Sequence, residues 1–143
     1  MFLGEFEHTI DDKGRVAIPA RFREELSEGL VLTRGFDPCL QAFPRAKWQD
    51  LSSKVSSLSL GSPIARTLRR VLFSNAAEVE VDRQGRILIP QNLREYAKLA
   101  EQVVITGMDD YFELWSGNQW NLVLEQMSNE GATVAEQLAA LGI

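Results

Sequence analysis

The sequence predicts an α+β fold, mainly β, in which two tandem repeats pair into one closed barrel with helices at its periphery. Three observations carry that expectation. The stretch HTIDDKGRVAIPARFREEL, from His8 to Leu26, returns as VEVDRQGRILIPQNLREYAKL, from Val79 to Leu99, with a period of about 71 residues. Within each repeat, short β-rich runs alternate with glycine-bearing turns. Between and after the repeats, apolar residues recur at helical spacing instead.

The elements follow in order. Phe6 to Ile10, or Val79 to Val81, leads through a polar turn with glycine to a second apolar run, Arg15 to Ile18 or Arg86 to Ile89, which is the pattern of a hairpin. Pro19 and Pro90 close that run, because proline cannot donate to a ladder, and suit the first position of a helix. Phe22 with Leu26, and Leu93 with Ala97, then keep helical spacing for one or two turns. Strands at Leu30 to Arg34 and Gln102 to Thr106 run into turns at Gly35-Phe36-Asp37 and Gly107-Met108-Asp109. Closing strands follow at Leu40 to Phe43 and Tyr111 to Trp115. One repeat has too little apolar surface to stand alone, so the two are expected to interleave about an approximate two-fold and so remove free edges.

Helices lie outside the barrel. Trp48, Leu51, Val55 and Leu58 line one face of Arg45 to Leu58, and Pro63 opens a second helix through Leu68, Val71 and Leu72. Ser116 is placed to cap a third, whose apolar face is Trp120, Val123, Leu124 and Met127. Val134, Leu138 and Leu141 then share one side of a last segment that reads as a docking element. The expected division is a first repeat at 5–51, bridging helices at 52–75, a second repeat at 76–123 and a helical tail at 124–143.

Composition narrows the function. A chain of 143 residues with 45% apolar content can bury a real core. No apolar run approaches the roughly 18 residues that span a bilayer, and the opening MFLGEFEHTIDD lacks the pattern of a secretory signal, which predicts a cytoplasmic protein. Cys39 is the only cysteine and His8 the only histidine, so neither a disulfide nor a zinc ligand set is expected. A net charge of -5 and a pI near 4.9 speak against a nucleic-acid binder unless the basic residues are gathered at particular places.

They are gathered at the turns. Asp11-x-x-x-Arg15 and Asp82-x-x-x-Arg86 put an arginine fork, suited to a phosphate or to the acceptor edge of guanine, at one end of the barrel. The same aspartates can simply accept hydrogen bonds from turn amides, and the two roles are compatible, since an aspartate that fixes its arginine preorganises the fork. Lys13 and Arg83 add basic character, whereas Asp12 and Gln84 break the symmetry of the two turns.

Two D-x-x-x-R units in register, each followed by Ile-Pro and a short Arg-Glu-bearing helix and joined by a helical hairpin, resemble the MraZ family over nearly the whole chain. That resemblance implies the double-ψ-like swapped-hairpin barrel of the AbrB/SpoVT type, formed within one chain rather than by a homodimer. It implies a sequence-specific transcriptional regulator whose partner is double-stranded promoter DNA, read at short tandem repeats ahead of the division and cell-wall gene cluster. It also implies a ring-shaped homo-oligomer, an octamer or similar, associated with the nucleoid, with no cofactor, metal or small-molecule substrate. Asp11, Arg15, Asp82 and Arg86 stand at the family's DNA-binding signatures.

The remaining residues read more plainly. Arg23-Glu24 and Arg94-Glu95 are expected to form ion pairs that lock helix to barrel, and Arg66, Arg69 and Arg70 form a solvated face or a subunit contact. His8 and Cys39 are packing residues, and Trp48 and Trp120 belong to core or interface. An enzyme is disfavoured by the lack of a nucleophile–base pair, phosphate loop or metal set. An AbrB-like antitoxin or other interaction module is the alternative.

Overall fold

The computed structural model describes residues Met1–Ile143. The first repeat holds β1 (Glu5–Thr9), β2 (Arg15–Ala17), α1 (Ala20–Arg23) with a 3-10 turn at Glu24–Leu26, β3 (Leu30–Arg34) and β4 (Leu40–Pro44). Helices α2 (Arg45–Ser56) and α3 (Pro63–Phe73) lead to the second repeat. That repeat holds β5 (Ala77–Val79), β6 (Arg86–Leu88), α4 (Gln91–Ala97), β7 (Gln102–Gly107) and β8 (Phe112–Ser116), and α5 (Gly117–Asn129) and α6 (Gly131–Ala140) follow it.

The repeats interleave through their strand pairing. β1 pairs with β7 of the other repeat, with Phe6 opposite Ile105, and β5 pairs reciprocally with β3, with Val79 opposite Leu30. β4 meets β8 and β2 meets β6, again across the repeats. The result is an antiparallel six-stranded sheet, ordered β1-β7-β8-β4-β3-β5, and a separate β2–β6 ribbon. The hairpin expected within each repeat is therefore corrected. β1 and β2 share only the Ile10–Val16 bridge, because the arms diverge after the turn and each finds its ladder in the other repeat.

The ladders stay open and do not run round as a closed barrel. Proline is the local reason: Pro19 and Pro90 carry no N–H, so the ribbon ends just before them. Its last amides are still satisfied across the repeats, Ile18 donating to the Gly85 carbonyl at 2.8 Å and Ile89 to the Gly14 carbonyl at 2.9 Å. Both prolines cap their helices from one position earlier than expected, with extended ψ values of 136° and 146°. Pro63 does sit at the first helical position, behind a Ser62 cap whose hydroxyl accepts from the Ala65 amide.

One core joins everything between the sheet and the ribbon. Val16, Ile18, Phe22 and Leu26 from the first repeat pack with Ile87, Ile89, Leu93 and Ile105 from the second. Phe22 lies edge-on to Phe2 at 5.0 Å between ring centres and 5.3 Å from Phe112. The outer face of the sheet is covered unequally. Over the first repeat, α3 lies on α2: Phe73 stacks edge-on against Trp48, and the buried Thr33 hydroxyl donates to the Leu72 carbonyl at 2.8 Å. Over the second, α5 packs on Val104 and Trp115 through Trp120 and Val123, capped by Ser116 as expected. Every residue of α6 is exposed, so the tail does not dock on its own chain.

Candidate nucleic-acid interface

Each D-x-x-x-R segment forms a closed turn organised by its aspartate. Asp11 Oδ1 accepts from the Lys13 amide at 3.0 Å and the Arg15 amide at 2.8 Å, while Oδ2 accepts from Arg15 Nε at 2.8 Å. Asp82 repeats the pattern with the Gln84 and Arg86 amides, both at 2.9 Å, and with Arg86 Nε at 3.1 Å. The four-residue spacing is what this needs: one carboxylate reaches the amide and the side chain of the residue that closes the turn. Gly14 and Gly85 close it at φ +91° and +78°, in the left-handed region that favours glycine. Each aspartate thus both holds its turn and fixes its arginine.

The ribbon brings the two turns together. Arg15 stands opposite Leu88 and Arg86 opposite Ala17, so both arginines share one face while Val16 and Ile87 point into the core. They are diagonal neighbours across the ribbon, a separation of about 7–8 Å between Cα atoms. Aspartate holds only Nε, which leaves both terminal amino groups of each arginine without a partner inside the chain. Lys13 and Arg83 flank them, exposed and outside any ion pair. Leu88, 55% exposed, lies between the arginine positions and gives the face an apolar spot.

Arg23 and Arg94 do something the sequence reading did not foresee. The expected pairs with Glu24 and Glu95 do not form. Arg23 crosses to the second repeat's turn, where a Cβ on Gly85 would run into its Cζ, and Arg94 crosses to the first, where a Cβ on Gly14 would meet its Cζ at 2.7 Å. Neighbouring positions on a helix do not face one another, so an adjacent Arg-Glu is a poor ion pair, and the guanidinium lies flat on the bare glycine instead. Arg23 Nε also donates to the Ile18 carbonyl at 2.8 Å, whereas the matching Arg94 Nε is buried without a partner. Strict repetition of Arg23 and Arg94 was the available signal; the destination of each side chain was not.

Charge follows this geometry. Hydrogen bonding from the Arg15 amide is the main influence that lowers the Asp11 carboxyl to about 2, and the Arg86 amide likewise lowers Asp82. Partial burial, with Arg23 nearby, lowers His8, which is half-buried. Cys39 is buried beside Glu113, with the sulfur 3.7 Å from a carboxylate oxygen. No cluster of three or more His, Cys, Asp or Glu side chains is placed to hold a metal ion.

The sequence profile of the MraZ protein family, described as antitoxin-like, matches the chain twice, over residues 1–71 and 72–141. The chain belongs to the MraZ family. Each match takes in one structural repeat with the helices that follow it. Among its MraZ relatives, the transcriptional regulator MraZ of Roseiflexus castenholzii is 60% identical over 141 residues, 99% of both chains. Those of Herpetosiphon aurantiacus and Moorella thermoacetica are 50% and 46% identical over the full length of both chains.

Proposed function

We propose that the chain is a sequence-specific DNA-binding transcriptional regulator that reads short tandem repeats in the promoter of the bacterial division and cell-wall gene cluster as a ring-shaped oligomer. One observation carries the reading: two arginines, each held at Nε by its own aspartate, present free terminal amino groups side by side on the β2–β6 ribbon. Such a fork needs no reorganisation to meet guanine O6 and N7 or a phosphate. Arg15 and Arg86 make the sequence contacts, Lys13 and Arg83 approach the backbone phosphates, and Asp11 and Asp82 set the aim.

An acidic subunit with one basic face binds DNA weakly alone, and joining subunits in a ring raises the effective concentration at repeated boxes. The cross-repeat pairing of β1 with β7 and β5 with β3 supports a swapped-hairpin core of the AbrB/SpoVT type, with units at 5–51 and 76–123, bridging helices at 52–75 and the tail at 124–143. The location is the cytoplasm, at the nucleoid. Relatives named as transcriptional regulators favour this over an enzyme.

Mobility shift with a fragment of the protein's own upstream promoter tests it. A retarded species that survives unrelated competitor DNA is expected. Failure to bind that fragment at micromolar protein and low salt would leave the antitoxin-like reading of the family description as the better one.

A further inference from the structure

The β2–β6 ribbon is three residue pairs long, and its pleat leaves four side chains on the face away from the core: Arg15, Ala17, Arg86 and Leu88. Arg15 stands opposite Leu88 and Ala17 opposite Arg86, so the arginines occupy one diagonal of a square and the apolar residues the other. Ala17 and Leu88 are counterparts in the two repeats. The only difference in residue type among the four positions is therefore a methyl in one repeat against an isobutyl group in the other.

Burial sets Leu88 apart. Arg15, Ala17 and Arg86 are half-buried, whereas Leu88 is exposed. The core takes its strand neighbours Ile87 and Ile89 and leaves it out. A lone exposed leucine is ordinary on a protein surface. This one has an arginine opposite it and another two residues before it, on the face where both arginines offer their free amino groups.

Spacing decides what Leu88 can reach. Ile89 donates to the Gly14 carbonyl and Ile18 to the Gly85 carbonyl, which makes these the hydrogen-bonded pairs of the ribbon. Arg15–Leu88 and Ala17–Arg86 are then the alternate, non-hydrogen-bonded pairs, with Cα atoms about 4.5 Å apart. That is close to the base-pair step of about 3.4 Å, so an arginine on a guanine puts the residue opposite it at the same or the adjoining base pair. An apolar side chain in the major groove has one distinctive partner there, the 5-methyl group of thymine.

On the DNA contact proposed for Arg15 and Arg86, we infer that Leu88 reads the 5-methyl group of a thymine beside the guanine that Arg15 meets. Ala17, with a single methyl, leaves the base beside the Arg86 contact unread. The face thereby gains a direction along the DNA that its two arginines alone do not give it.

Replacing thymine by deoxyuridine tests this, because the exchange removes the 5-methyl group and keeps the base pair. Fluorescence anisotropy is measured on a fragment of the protein's own upstream promoter, with thymines replaced one position at a time. In the parent, one position in each repeated box should lose about fourfold in affinity, the worth of one buried methyl, and the other positions should change little. Leu88→Ala should bind the unsubstituted fragment more weakly, show no loss at that position and keep the parent's melting temperature. Leu88→Met, which restores a long apolar side chain, should keep the sensitive position. A parent that does not bind the fragment overturns the DNA reading, and this assignment with it. A parent that binds overturns the assignment alone if no thymine is sensitive, if Leu88→Ala retains the parent's sensitivity, or if Leu88→Met loses it.

Discussion

Asp11 and Asp82 hold their turns through matching hydrogen bonds, whereas the helices that leave β4 and β8 take different paths, one folded back and one projecting. The difference shows where duplication constrains a chain and where it does not. Each turn is determined twice, by its own aspartate and glycine and by an arginine from the other repeat. A change in either repeat is therefore felt in both. The helices after β4 and β8 contact mostly their own half of the outer face, and the length of one connection decides their course. The symmetric part is the ribbon face that carries the arginines; the asymmetric part is the helical cover of the sheet's outer face.

The severest way to break the comparison is through the shared core. Phe22→Ala removes a fully buried ring from contact with Phe2, Phe6 and Phe112 and should cost about 3–5 kcal/mol. Its counterpart Leu93→Ala should cost about 2–5 kcal/mol. Because the strands interleave, calorimetry should show one transition in each variant, shifted down as a whole. Two resolved transitions would mean that the repeats fold independently, against the cross-repeat pairing.

Next in size is the loss of binding at the ribbon. Arg15→Ala and Arg86→Ala should each weaken promoter binding by about 1–3 kcal/mol for a base contact, or flatten its salt dependence for a phosphate contact. Stability should change by less than about 1 kcal/mol, since each ion pair is about one-third exposed. Titration by fluorescence anisotropy at several salt concentrations separates the two kinds of contact. Unchanged affinity in both variants would leave the turns with a structural role only.

Much of this was legible in the sequence, and the parts that were not share a cause. Periodicity marked the strands at Leu30–Arg34 and from Leu40 to Phe43, the Ser116 cap and both bridging helices, because spacing and turn residues are local information. The Asp–Arg spacing also foretold that one aspartate could serve both the turn and its arginine. Interleaving of the repeats was expected, but which strand meets which across them was not legible. Nothing between Phe6 and Ile18 says that β1 will pair with β7 rather than β2, and Arg23 stands next to a glutamate in sequence but on Gly85 in space.

A smaller effect tests the arginine crossing. Arg94 lies on the Gly14 turn, so Arg94→Ala should loosen the turn that aims Arg15 and leave the one that aims Arg86. In double-mutant cycles on promoter affinity, Arg94→Ala with Arg15→Ala should be non-additive by on the order of 1 kcal/mol, whereas Arg94→Ala with Arg86→Ala should be additive. Arg23→Ala should show the reverse preference. Amide exchange in the free protein gives a second readout, with faster exchange expected at Gly14 in Arg94→Ala and at Gly85 in Arg23→Ala. Equal effects at both turns would mark the arginines as general stabilisers.

The smallest difference between the repeats concerns acid. Both motif aspartates are held below the ordinary value of 3.8, Asp11 at about 2, chiefly because the amide of the arginine four residues on donates to the carboxylate. A carboxylate whose folded value lies below its unfolded value supports the fold fully above the unfolded value. That support is lost as pH falls through the folded one. For Asp11 the loss should run from about pH 4 down to about pH 2, and Asp82 should contribute in the same direction. Urea midpoints measured from pH 5 to pH 2 should therefore fall less steeply in Asp11→Asn than in the parent, because the amide keeps an acceptor but has no charge to lose. Asp82→Asn should flatten the same limb. If neither variant changes the slope, the acid sensitivity arises elsewhere, and the aspartates serve the turns through hydrogen bonds that do not depend on their ionisation.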